Sequence, residues 1–136
     1  MDNRSLLEFI KKHKIGILST LGEEFPESSV VDFVINDKFE IVFNTFVGSR
    51  KYRNLQKNRH VSFVTGWEGL KTVQYEGLAY ELFEEPLEKV KEAHSRNFEY
   101  VRLWKVDEMR YFKINPTWIK YSDYNAKPAK FFELDF

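Results

Sequence analysis

The sequence contains no cysteine. Disulfides, thiolate metal sites and cysteine nucleophiles are excluded together. It carries no net charge, because 21 basic side chains balance 21 acidic ones. A whole-chain electrostatic footprint for nucleic acid is therefore missing, although a local basic patch stays open. No apolar run approaches the roughly 18 residues of a transmembrane helix, so no membrane partner is expected. The N-terminal residues lack the apolar region and small-residue cleavage site of a signal peptide, and a cytoplasmic location is the expectation. His13, His60 and His94 stand far apart, without metal-ligand spacing, and no metal is expected. Glycine and proline number only 6 and 4. No stretch reads as a linker, a repeat or a low-complexity segment. One domain over residues 1–136 follows.

Apolar residues make up 43% of the chain and aromatics 17%, with 13 Phe and 7 Tyr. Such a chain can bury a core of its own, and its aromatic content favours strands. Ser5 to Lys12 reads as a short amphipathic helix capped by Asp2 or Asn3. Ile15 to Thr20 reads as a strand, and Leu21 to Pro26 as a turn. Ser28 to Ile35 is a second strand, Asn36-Asp37-Lys38 a tight turn, and Phe39 to Thr45 a third strand. Ser49 to Gln56 has helical spacing, with Ser49 as N-cap. Val61 to Thr65 and Thr72 to Phe83 read as further strands, separated by a loop that carries Trp67. Gly77 inside the second of these predicts a bulge or a close backbone approach. A helix is predicted from Glu85-Pro86 to about Phe98, with Pro86 at its first position and a solvated charged face. Met109 to Ile114 and Thr117 to Tyr121 read as two strands divided by Pro116. The tail from Asn125 reads as irregular, its aromatics packing on the barrel or on a second subunit. This order is not a βαβ alternation. It fits a mainly β fold, an antiparallel β-barrel with helical insertions.

The chemically informative segment is Phe43-Asn44-Thr45-Phe46-Val47-Gly48-Ser49-Arg50-Lys51. A strand ends, a glycine-containing turn follows, and a helix starts with two cations in its first turn. Helix N-termini carry unpaired N–H groups and partial positive charge. Two cations there cost a few tenths to about 1 kcal/mol each in isolation. A bound phosphate reverses the sign of that interaction, with Ser49 and Thr45 adding hydroxyls. The plain alternative is a solvated basic helix start with Ser49 as an ordinary cap.

The wider pattern resembles the pyridoxamine 5'-phosphate oxidase family. The match runs from the strand at Ile15 to Leu21, through Ser28 to Phe33, the Thr45 and Ser49-Arg50-Lys51 segment, Leu55, Asn58 and Val61-Ser62-Phe63-Val64, to Val73-Gln74-Tyr75-Glu76-Gly77. It covers roughly residues 5 to 83, and is similar in particular to the short general-stress-protein-like members. The resemblance implies a split β-barrel homodimer with FMN in the groove between subunits. It implies Ser49, Arg50 and Lys51 as the phosphate group, with Thr45 beside them and Asn44 as a second polar contact. It places Ser28, Ser29, Val30 and Val31 along the isoalloxazine, offering backbone groups to its polar edge. Thr72 falls where the oxidases carry a flavin-contacting Gln, and Gln74 shares its face of the strand. Trp118 is a candidate to stack near the partner's flavin, or a plain core residue.

The departures are specific. The oxidases carry an Arg on the second strand where this chain has Ser28-Ser29. Asn58 is followed by Arg59 instead of Pro. No equivalent of the C-terminal substrate-handling segment is found, which counts against oxidation of vitamin B6 phosphates. No Ser/His/Asp constellation can be argued, and Asp32, Glu23-Glu24 and Glu84-Glu85 offer carboxylates without a reason to pair. No catalytic side chain is assigned. The readings are an FMN-dependent oxidoreductase acting on a small organic substrate, with NAD(P)H as a hydride source, a non-catalytic binder of FMN, deazaflavin or heme, and a nucleic-acid-binding barrel. Neutral net charge counts against the last.

Overall fold

The computed structural model describes residues 1–97 and 108–136, without the side chains of 94–97. Among these residues, six strands close into an antiparallel barrel in the order β3-β2-β1-β4-β5-β6, with β6 pairing back onto β3. The strands are β1 Ile15–Leu21, β2 Pro26–Ile35, β3 Ile41–Phe46, β4 His60–Thr65, β5 Lys71–Glu81 and β6 Met109–Asp123. A further strand, β7 Lys130–Asp135, adds to the free stretch of β6. Three helices accompany them: α1 Asn3–Lys11, α2 Arg50–Lys57 and α3 Glu84–Asn97.

Local chemistry accounts for the element ends. Asp2 caps α1 in a reciprocal pair with Ser5, each side chain taking the other's backbone N–H. Asn36 Oδ1 accepts from the N–H groups of Lys38 and Glu40, which folds the β2–β3 turn so that β3 begins at Ile41 and not at Phe39. Inward side chains of successive strands build the core, with Leu18, Phe33, Phe43, Phe63, Tyr75, Phe112, Ile114 and Ile119 almost wholly buried. Phe33 meets Phe63 edge-on at 4.9 Å, and Phe43 stacks on Phe112 at 5.4 Å. Gly16 leaves room for the Phe63 ring, which any Cβ there would strike.

Two expectations are corrected. The stretches before and after Pro116 are one strand, β6. Proline cannot donate to a ladder, yet it is tolerated here because the β5–β6 register shifts at Glu76/Gly77 and places Pro116 opposite Gly77. A Cβ on Gly77 would run into the Asn115 carbonyl, so the glycine serves both a bulge and a close approach. The tail is also not irregular. β7 pairs with Trp118–Asp123, and its Phe132 and Leu134 pack on the core, while Phe136 lies edge-on to Phe39 at 5.8 Å. The helix predicted from Glu85-Pro86 begins at Glu84, and Leu87 and Val90 pack it against Val42, Met109 and Tyr111. Its predicted end at Phe98 lies outside the described residues.

Candidate cofactor site

The barrel is open at one seam. β2 and β3 pair only at Phe33↔Phe43, Val34↔Val42 and Ile35↔Ile41, although β2 runs back to Pro26 and β3 on to Phe46. β1 claims one edge of β2 and β6 claims the far edge of β3, so a gap opens between Val30–Asp32 and Asn44–Phe46. Phe33 N–H donates to the Lys14 carbonyl at 3.0 Å on the β1 side. By the antiparallel alternation, Val30 and Asp32 turn their N–H and C=O groups the other way, into the gap.

A cavity of about 190 Å³ fills this gap, lined by Val30, Val31, Asp32, Asn44, Thr45 and Lys51, among others. α2 starts at its edge. Ser49 caps the helix, its Oγ accepting from Tyr52 N–H at 3.1 Å. The Thr45 and Ser49 hydroxyls are 2.7 Å apart, and Thr45 is buried. When Thr45 donates, both lone pairs of Ser49 Oγ are used and its own O–H is free for a ligand. Lys51 is half-buried, forms no ion pair among the described residues, and has its pKa lowered from 10.5 by burial. A half-buried cation in the first turn of a helix, lining the same cavity as Thr45, is an environment that an anion improves. The Asn44 side chain also hydrogen-bonds the buried Tyr111 hydroxyl, against the burial that raises that phenol's pKa.

The other site candidates are placed differently. Arg50 turns away from the cavity to Glu27, 3.0 Å from its carboxylate, with 69% of its side chain exposed. Glu27 also accepts from Asn54 at 2.7 Å. Ser28 lies on the outer face, its hydroxyl 2.7 Å from that of Ser19. Ser29 points to the inner side, where its hydroxyl is buried without a described partner. The part of β2 that lines the cavity is therefore Val30–Asp32, one step beyond the two serines. Thr72, Gln74 and Trp118 lie on the outer wall. Val30 is linked to Gln74 through the register pairs Val30↔Ile17, Ile17↔Val64 and Val64↔Gln74. Three strand spacings make a separation of about 14 Å, so these residues do not share the cavity within one chain.

Asp32 is a cavity residue that sequence reasoning set aside. Its carboxyl is pushed up from 3.8 by burial, and it has no described partner. The signal for it was strand alternation, which puts Asp32 two residues from Val30 on one face of β2. A larger groove of about 430 Å³ crosses the outer wall, past Ser19, His60, Ser62, Glu76 and Leu78. Among the described residues, no group of three His, Asp or Glu side chains could hold a metal, and no helix is long and apolar enough to cross a membrane.

The sequence model of the family described as pyridoxamine 5'-phosphate oxidase matches residues 3–123. The chain belongs to the pyridoxamine 5'-phosphate oxidase family. Solved structures carry the same fold. General stress protein 26 from Bacillus anthracis is 24% identical, with a TM-score of 0.70 over 95% of this chain and 98% of that one. A pyridoxamine 5'-phosphate oxidase-related, FMN-binding protein from Nostoc punctiforme is 12% identical, with a TM-score of 0.69 over 98% and 90%. A heme-binding protein from Mycobacterium smegmatis is 15% identical, with a TM-score of 0.82 over 99% of this chain and 58% of that one. No curated protein matches significantly. Fold and family are thus fixed, and proteins of this fold include binders of both FMN and heme.

Proposed function

We propose that this pyridoxamine 5'-phosphate oxidase-family chain is a cytoplasmic FMN-binding flavoprotein that acts as a homodimer. Its reaction is hydride transfer to or from a small organic substrate, with NAD(P)H as one hydride source. The supporting observation is Lys51, half-buried in the β2–β3 gap with no ion pair among the described residues, at the start of α2 and lining the same cavity as Thr45, whose hydroxyl meets that of Ser49. The phosphate is held by Lys51, the Ser49 hydroxyl and the free N–H groups of the first turn of α2. Arg50 joins only by leaving Glu27. The ring lies along the open edge of β2, where the backbone groups of Val30 and Asp32 meet its polar rim.

The homodimer rests on β1. Ile15, Ile17 and Leu21 face outward while Leu18 and Thr20 face the core. A strand apolar on both faces needs cover on both. Val30 extends the outer apolar surface with 64% exposure. A second copy on this face covers these residues and brings its own Thr72, Gln74 and Trp118 to the cavity, which they cannot reach within one chain. Bound FMN supplies the hydride and electron transfer, and the protein binds, orients and shields it.

The test is the visible absorption spectrum of the purified protein before and after addition of FMN, beside an Arg50→Ala/Lys51→Ala variant. Flavin bands that stay with the wild type through gel filtration and are lost in the variant support the site. A wild type that retains no flavin at micromolar FMN contradicts it. Bleaching of the bound flavin by NADH or NADPH, reversed by an acceptor, separates an enzyme from a storage protein.

A further inference from the structure

Asp32 is the part of the cavity that phosphate binding does not explain. Continuing the Phe33↔Phe43 register by one step sets Asp32 opposite Asn44 across the gap. Asp32 lines the same cavity as Lys51, yet the two make no ion pair, and the Asp32 side chain has no described hydrogen bond. Two opposite charges thus share one small cavity without neutralising each other. Leaving them so costs solvation that nothing among the described residues returns. A ligand satisfies both only if it carries an anion for Lys51 and hydrogen-bond donors, a short distance along, for Asp32.

A carboxylate accepts well from neighbouring hydroxyls. We infer that Asp32 is a specificity-determining residue that accepts hydrogen bonds from a polyol chain next to the ligand's phosphate, as in the ribityl phosphate of FMN. This inference rests on the flavin reading of the same cavity.

The experiment is equilibrium titration of the wild type, Asp32→Asn, Asp32→Ser and Lys51→Ala with FMN and riboflavin, together with a thermal melt of each protein. Both Asp32 variants should weaken FMN and riboflavin by a similar factor, on the order of tenfold for a lost hydrogen bond to a charged group. Lys51→Ala should weaken FMN but leave riboflavin nearly unchanged. Neither Asp32 variant should melt below the wild type, because the carboxylate has no partner among the described residues; a purely structural role would lower the melt. FMN affinity unchanged in both Asp32 variants overturns the inference while leaving the flavin site standing. A wild type that takes up no FMN overturns the flavin reading, and the role of Asp32 falls with it.

Discussion

The Thr45 hydroxyl at the end of β3 lies 2.7 Å from the Ser49 hydroxyl that caps α2. Strand end and helix start are thereby one unit, and the first turn of α2 is aimed by the barrel. Any group bound at that turn is placed against the open edge of β2.

Lys51→Ala should raise the FMN dissociation constant by roughly 10- to 100-fold, the loss of one charge-assisted contact in a partly desolvated site. Arg50→Ala should cost less, because Arg50 is exposed and already engaged by Glu27. Isothermal titration of the two variants ranks them, and an equal or reversed order would refute this division of labour.

Burial holds the Lys51 ammonium below the ordinary 10.5 in the free protein. Between that lowered value and 10.5 the unfolded chain binds the extra proton, so this lysine makes the free protein relatively more stable as pH rises through that window. Phosphate binding needs the charged form. FMN affinity should therefore fall in alkaline solution at a pH below 10.5. Titrations from neutral to alkaline pH check this, and Lys51→Arg, which stays charged, should flatten the decline.

Tyr75 is buried in the barrel, and its hydroxyl donates to the carbonyls of Phe39 and Ile114 at 2.7 and 3.1 Å. Burial drives its pKa far above the ordinary tyrosine value. Tyr75→Phe strands both buried acceptors and should cost about 1–3 kcal/mol, measured by urea unfolding. A cost near zero would mean that water replaces the hydroxyl.

Ile17 and Val30 stand side by side on the outer wall. Ile17→Lys and Val30→Asp place charge on the proposed subunit face without touching the core. Both should give a folded monomer by sedimentation velocity, with normal circular dichroism and weaker FMN binding. An unchanged dimer would move the interface elsewhere, and a wild-type monomer would remove it.

Local cues made much of this legible from the residues. The Ser49 cap, the bulge at Gly77 and the barrel-forming strand order all depend on neighbours in sequence, and the structure contains each of them. Pro116 misled because a strand breaker is cancelled by a bulge on the opposite strand, which only pairing reveals. β7 was missed although Phe132, Leu134 and Phe136 alternate, because its support is an edge of β6 exposed only once the barrel closes. Arg50 and Asp32 take their surroundings from long-range pairing that no local cue carries. The partner of Arg50 is Glu27, brought in by the β1–β2 hairpin, and the cavity around Asp32 exists only where β2 and β3 part.

The most direct test of the phosphate site is phosphorus NMR of FMN added to excess wild-type protein and to Lys51→Ala. The phosphate resonance should shift and broaden with the wild type, and return towards its free position with the variant. A resonance that stays at the free position with the wild type, while the flavin ring is visibly bound, would contradict a phosphate held at Ser49 and Lys51.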